Sequence, residues 1–221
     1  MKKGLTELVF VLDRSGSMSG LESDTIGGFN RMIEKQKTEP GEVMVTTVLF
    51  DHQYEVIHDR FPIHMIRPLT EKDYYARGCT ALLDAVGKTI DKVSRIQRYL
   101  PRETQAEKVI FVITTDGYEK SSKEYTYKQI REMIRQKEQA HWEFIFLGAN
   151  MDVVSEAEKI GIAHDRAAAF ENDSDGVQLN YEVITETISA MRACAPTSRI
   201  DGTWKKKIDD DYKKRRRNHM K

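Results

Sequence analysis

The chain has 221 residues, of which 39% are hydrophobic and 32% are charged. This length suits one domain with a sizeable core and leaves no room for two domains of ordinary size, and no apolar run reaches the roughly 18 residues of a membrane span. The 35 basic and 35 acidic side chains cancel, which excludes a chain that is strongly basic or strongly acidic throughout.

The charge is unevenly distributed along the chain. Residues 205–221 contain nine Lys or Arg and three Asp, a net charge of +6, so the rest of the chain carries −6. We therefore predict an α/β domain over residues 1–195 and a basic, mobile C-terminal tail over residues 196–221. The run Lys213–Arg217 has no interleaved aromatic residues, so nucleic acid is not the expected partner.

Two cysteines, Cys79 and Cys194, are too few for a disulfide framework and are expected to be free thiols. A reducing, cytoplasmic environment fits this composition best. The first residues, 1–4, lead directly into a short apolar segment, which predicts no secretory signal.

The first apolar run ends abruptly in a polar loop. Leu8–Leu12 are five consecutive apolar residues, which indicates a strand that is buried on both faces. Asp13, Ser15 and Ser17 follow at every second position, and Gly16 allows the loop to bend sharply. Such residues at the carboxyl end of a buried parallel strand line a ligand crevice, and their oxygens suit Mg²⁺ or Mn²⁺. A polar loop with a serine helix cap is the alternative.

Two later segments end at the same kind of position. Gly78–Ala85 has the character of a helix start in which Thr80 presents a hydroxyl. Val109–Thr115 is another buried strand, and it ends at Asp116 and a glycine. Three separated motifs thus agree in order and in structural setting, which favours a metal site over an ordinary polar loop.

The combination Asp-x-Ser-x-Ser, a loop threonine and a strand-end aspartate resembles the von Willebrand factor A (vWA) domain over roughly residues 4–193. The metal-ion-dependent adhesion site (MIDAS) of that family uses five matching positions: Asp13, Ser15, Ser17, Thr80 and Asp116. The resemblance implies that the hydroxyls approach the ion directly and that the two carboxylates often act through water.

The same resemblance implies a non-catalytic, metal-dependent protein-binding module. In relatives, a glutamate or aspartate of a partner protein fills the open metal position. Bacterial stand-alone relatives often work beside ATPases of the AAA+ class, so a partner linked to such an ATPase is also considered.

Strands that alternate with helices predict a doubly wound, Rossmann-like α/β sheet that is mostly parallel, with helices on both faces. The resemblance adds one antiparallel edge strand. The predicted strands after the first are 43–50, 54–58, 109–115, 144–147 and 167–170. The first predicted helix follows the metal loop and ends before Pro40, and the later ones are 81–94, 125–139, 152–160 and an apolar stripe over 177–191. Residues 59–79 are expected to be irregular.

Two other functions remain open. A Mg²⁺-dependent phosphotransferase would use Asp13 as the nucleophile, but haloacid-dehalogenase-like phosphatases have a second aspartate where this chain has Ser15. The loops also offer no lysine or histidine as an acid–base partner, so an enzyme is not expected. A nucleic-acid-associated protein acting through the basic tail is the other alternative.

Other polar residues are given less weight as ligands. His52 and His58 lack a second ligand at metal-binding spacing. Asp84 is expected in the first turn of a helix, where it would favour the helix dipole. Asp51 ends a strand and is expected on the same rim as the metal loop.

Overall fold

A computed structural model describes residues 1–219. Its six strands are β1 (Lys2–Asp13), β2 (Glu42–Phe50), β3 (Tyr54–Pro62), β4 (Ala106–Thr115), β5 (Trp142–Gly148) and β6 (Ala167–Ala169). Its six α-helices are α1 (Glu22–Thr38), α2 (Leu82–Tyr99), α3 (Tyr127–Gln139), α4 (Val153–Lys159), α5 (Ser174–Ala193) and α6 (Lys206–His219). Within residues 1–219, none of the helices is both long enough and apolar enough to span a membrane.

The strands form one sheet in the order β3-β2-β1-β4-β5-β6. All neighbouring pairs are parallel except β2 with β3, so β3 is an antiparallel edge strand. Because β1 lies between β2 and β4, the ends of these three strands meet at one rim. The predicted doubly wound sheet with one antiparallel edge strand is confirmed.

The apolar run of β1 is buried on both faces because helices cover both sides of the sheet. Leu8, Phe10 and Leu12 belong to a core layer that also contains residues of α1, α5 and α6. Val9 and Val11 point the other way, into a layer shared with α2, α3 and α4. A run of consecutive apolar residues is what a strand in this position requires.

Two predicted elements ended four or five residues too early, and prolines bear on both. The second strand of the hairpin continues to Pro62, well into the segment that was expected to be irregular. A proline is tolerated there because β3 is an edge strand and Pro62 is its last residue. Helix α2 extends to Tyr99 instead of ending at residue 94, and it stops just before Pro101.

The segment predicted as a tail is helical over much of its described length. The Trp204 indole donates to the backbone oxygen of Asp165 at 2.8 Å, and Ile208 is buried in the core layer beside α5. These two residues are the apolar anchors that the basic composition obscured. The boundary at residue 195 stays a prediction, and residues 220–221 of the predicted tail lie outside the described residues.

Candidate metal centre

The five residues predicted to hold a metal lie together at the carboxyl end of the sheet. Asp13 is the last residue of β1, and Asp116 follows β4, its parallel neighbour. Thr80 lies in the loop before α2 and is the fifth member of the group, together with Ser15 and Ser17 of the loop after β1. Adjacent parallel strands end at the same edge, which is why residues about 100 positions apart in sequence meet here.

A chain of hydrogen bonds connects four of the five side chains. The Thr80 hydroxyl donates to Ser15 Oγ at 3.1 Å, and the two serine oxygens, Ser15 Oγ and Ser17 Oγ, lie 3.0 Å apart. Ser17 Oγ donates to Asp116 Oδ1 at 2.5 Å. Asp13 is joined to Ser15 through the backbone, as described next. We call these five residues the rim cluster.

Asp13 is bound through both of its carboxylate oxygens. The backbone N–H of Ser15 donates to Oδ1 at 2.6 Å, and the Thr115 hydroxyl donates to Oδ2 at 2.6 Å. Burial nevertheless raises the pKa of Asp13 to about 6, because these neutral donors do not offset the lost hydration. Burial also raises the pKa of Asp116, against hydrogen bonds from Ser17 and Asn172.

Three glycines shape the loops around the rim cluster. The backbone N–H of Gly16 donates to the oxygen of Gly78 at 3.1 Å, and Gly78 has a φ of +68°, which joins the two loops closely. A Cβ atom at Gly117 would lie 3.3 Å from Thr80 Oγ1 and 3.5 Å from Ser17 Oγ. The space in front of the hydroxyls is therefore free because residue 117 has no side chain.

A second cluster of charges lies beside the first. Arg14, between two rim-cluster residues in sequence, is fully buried and ion-pairs with Asp51 at 3.0 Å and with Glu55 at 2.6 Å. Arg77 donates to the same Asp51 oxygen at 2.8 Å. We call Arg14, Asp51, Glu55 and Arg77 the arginine cluster. Asp51 is on the rim, as expected, but it pairs with arginines.

The arginine cluster also fixes the loop that carries Thr80. The backbone N–H of Arg77 donates to the Arg14 oxygen at 2.8 Å, and the N–H of Ala81 donates to the Asp51 oxygen at 2.9 Å. The loop is thus tied on both sides of Thr80 to the ends of β1 and β2. This arrangement positions the threonine hydroxyl over the serines.

Sequence reasoning missed three residues that contact the rim cluster. The Thr115 hydroxyl binds Asp13, the Asn172 amide donates to Asp116 Oδ2 at 3.3 Å, and the buried Tyr74 hydroxyl donates to the backbone oxygen of Asp13 at 2.5 Å. The position of Thr115 as the last residue of a strand was a usable signal. Tyr74 lies in the segment expected to be irregular and gave none.

The residues that were set aside as ligands have other contacts. His58 pairs with the Thr47 hydroxyl at 3.0 Å, and His52 lies 3.0 Å from Asp51 Oδ1. Asp84 is in the first turn of α2, as predicted, and accepts three backbone N–H groups from residues 123–125. The cysteines are free and exposed.

The donor set of the rim cluster fits a hard divalent cation. Two carboxylates can balance two positive charges, and three hydroxyls add oxygen ligands without charge. In the described residues, no three His, Cys, Asp or Glu side chains come together as a metal cluster, so a site here would depend on hydroxyl oxygens. Hydroxyl and carboxylate oxygens favour Mg²⁺ or Mn²⁺ over thiophilic metals.

Solved structures with the same fold include a domain of a pili tip protein and a matrix protein. The vWF domain of the type V pili tip protein Mfa5 from Porphyromonas gingivalis has a TM-score of 0.61 and 10% identity, with 88% of this chain and 97% of that chain covered. Proximal thread matrix protein 1 (PTMP1) from the mussel byssus, in crystal form 2, has a TM-score of 0.57 and 14% identity, with 84% and 46% covered. This chain therefore spans just under half of the mussel protein.

A further structure of PTMP1, described as having a zinc-occupied MIDAS motif, has a TM-score of 0.56 and 16% identity over the same shares of the two chains. At these identities the likeness shows the fold alone. No curated protein sequence matches this chain. The family model for the von Willebrand factor type A domain matches residues 7–182, which is most of the sequence. The chain belongs to the von Willebrand factor type A domain family.

Proposed function

We propose that the chain is a non-catalytic protein-binding module that depends on a divalent cation, Mg²⁺ or Mn²⁺. The rim-cluster residues Asp13, Ser15, Ser17, Thr80 and Asp116 would hold the ion. Once bound, the ion would supply an electrophilic position for an outside anion. A glutamate or aspartate side chain of a partner protein would then complete its shell.

One observation carries this proposal: two buried carboxylates and three hydroxyls converge with no lysine or arginine among them. Asp13 and Asp116 are each 1% exposed, yet neither forms an ion pair in residues 1–219. Buried carboxylates are normally paired with a cation or bound to a metal. The occupied MIDAS motif of the mussel relative supports the same interpretation.

The phosphotransferase alternative is weaker because of the contacts of Asp13. A nucleophilic carboxylate needs an oxygen that can reach a phosphorus atom. Both oxygens of Asp13 accept hydrogen bonds, from the backbone of Ser15 and from Thr115, and the side chain is buried. These contacts suit a carboxylate that orients other ligands.

Calorimetric titration with Mg²⁺ and with Mn²⁺ tests the metal site. Asp13→Ala should weaken binding most, by about 100-fold, because it removes a charge, and Thr80→Ala should weaken it less, since it removes a neutral ligand. Asp59→Ala and Ser19→Ala are matched controls on the exposed surface and should leave the affinity unchanged.

Two results would contradict the proposal. Unchanged metal affinity in Asp13→Ala would show that the rim cluster does not bind the ion. Metal-dependent hydrolysis of p-nitrophenyl phosphate that Asp13→Asn abolishes would favour the phosphotransferase. A partner linked to an AAA+ ATPase, and a cytoplasmic location, stay predictions of the sequence.

A further inference from the structure

A groove of about 510 Å³ lies next to the rim cluster on the same edge of the sheet. Its walls are Tyr118, which follows the Asp116 loop, residues 150–154 after β5, and Tyr212 and Arg216 of α6. The Tyr118 hydroxyl accepts a hydrogen bond from the backbone N–H of Asp152 at 3.1 Å. Tyr118 therefore connects the groove to the loop that carries Asp116.

Helix α6 is fixed against this edge by ion pairs. Arg215 binds Asp173, which lies outside the helix, at 2.7 Å, and Asp211 within α6 orients the same guanidinium at 2.7 Å. Asp173 also caps α5 by accepting the N–H of Gly176 at 2.8 Å. Its neighbour in sequence, Asn172, donates to Asp116 of the rim cluster at 3.3 Å. The basic helix and the rim cluster are thus joined through two consecutive residues.

One cationic side chain that lines the groove forms no ion pair within residues 1–219. Arg216 is exposed and stacks over the Tyr212 ring at 4.9 Å, and no carboxylate in residues 1–219 lies within ion-pair distance of it. The lining carboxylate, Asp152, is already engaged because it accepts the Ser155 N–H at 3.2 Å and caps α4. Asp152 keeps its negative charge, so the groove has one acidic and one basic side chain, and Arg216 is the one that can attract a carboxylate.

We propose that the partner is an acidic peptide segment with at least two carboxylates, which lies across the rim cluster and this groove. This inference rests on the proposed function, because the first carboxylate would complete the metal shell. The second carboxylate pairs with Arg216, and the exposed ring of Tyr118 packs against the segment between them. Charge complementarity selects the occupant, since the metal and Arg216 are both positive.

Random 12-residue peptides displayed on phage provide the probe. The full chain is the bait in Mg²⁺, and bound phage are eluted with EDTA. Enriched peptides should contain two or more acidic residues. Their affinity should fall about threefold to tenfold in Arg216→Gln, as for a partly exposed ion pair, and should not change in the matched control Arg217→Gln. Replacing the second acidic residue of the peptide by its amide should remove the difference between wild type and Arg216→Gln.

The outcomes separate this inference from the proposed function. The enriched peptides could have only one carboxylate and bind wild type and Arg216→Gln equally in the presence of metal. That result would overturn the proposed role of the groove and leave the proposed metal-dependent module intact. If calorimetry detects no bound ion and EDTA elutes no peptide, both proposals fall. A single-stranded oligonucleotide that binds equally in EDTA, and loses affinity equally in Arg216→Gln and Arg217→Gln, would assign α6 to nucleic acid and also overturn the inference.

Discussion

The rim cluster and the arginine cluster are neighbours with opposite electrostatics. Asp13 ends β1 and Asp51 follows β2, the next strand in the sheet, and the two side chains are 1% and 0% exposed. Burial raises the pKa of Asp13 to about 6. Burial also acts to raise the pKa of Asp51, but hydrogen bonds from Arg77, the Gln53 amide and Arg14 outweigh it and lower that pKa below its usual value.

The two carboxylates are equally inaccessible to solvent, but their neighbours differ. Asp51 is satisfied by two guanidinium groups of its own chain, whereas Asp13 has only neutral donors. A buried carboxylate without a cation is costly unless something outside the chain supplies the charge. The arginine cluster supplies its own countercharges, and we propose that a bound cation supplies the missing charge of the rim cluster.

The largest expected effect is on stability, from Arg14→Met. This change removes the buried cation but keeps much of the side-chain volume, and it leaves Asp51 with Arg77 alone. We expect the free energy of unfolding to fall by about 3–5 kcal/mol, the usual cost of breaking a buried pair from one side. Urea denaturation in EDTA measures it.

Arg77→Met is the matched control for Arg14→Met. Arg77 is partly exposed, with 33% of its side chain accessible, and its loss leaves the pair between Arg14 and Asp51 in place. About 1 kcal/mol is expected. Equal losses in both variants would show that the arginine cluster does not depend on its buried member.

The second prediction concerns pH in metal-free protein. Asp13 has a pKa of about 6 when folded and an ordinary value of 3.8, so between these values the folded state binds more protons than the unfolded state. The free energy of unfolding should therefore fall as pH rises from about 4 to about 7, by about 3 kcal/mol relative to Asp13→Asn.

Saturating Mg²⁺ should cancel this loss, because the ion binds the ionised carboxylate. Urea denaturation of wild type and Asp13→Asn at several pH values, in EDTA and in Mg²⁺, measures both effects. Parallel pH curves for the two proteins in EDTA would show that Asp13 is not an uncompensated charge, and the contrast with Asp51 would disappear.

A smaller effect is expected for Gly117→Ala. The added methyl group would lie 3.3 Å from Thr80 Oγ1, in the space in front of the hydroxyls. Metal affinity should fall about tenfold, comparable with the loss of a supporting contact, while the arginine cluster stays intact. Calorimetry measures it, with Gly27→Ala as the control, since a methyl there meets only the Arg31 side chain. Unchanged metal affinity in Gly117→Ala would show that the ion does not bind in this space.

The sheet could be predicted from its buried apolar runs, and the two carboxylates of the rim cluster from the positions where those runs end. Asp13 and Asp116 each come directly after a buried apolar run, and parallel strands end at one edge. The family resemblance then supplied Thr80, which no periodicity identifies.

The arginine cluster could not be predicted from the same pattern. Arg14 occupies the variable position of Asp-x-Ser-x-Ser, and arginine is usually exposed. It is buried because the β2–β3 hairpin brings Asp51 and Glu55 to it, and that pairing is not visible in the local sequence. The basic composition of α6 similarly obscured two anchoring residues, Trp204 and Ile208.

We propose above that a cation completes the rim cluster. The most direct test is to remove bound metal from the full chain with EDTA and dialysis and then to titrate it with Mn²⁺. Calorimetry and electron paramagnetic resonance should show one bound ion per chain, and Asp116→Asn should weaken binding strongly while Asp51→Asn weakens stability and leaves the stoichiometry at one. Absence of a bound ion in wild type, or an ion that Asp51→Asn removes and Asp116→Asn does not, would contradict the account.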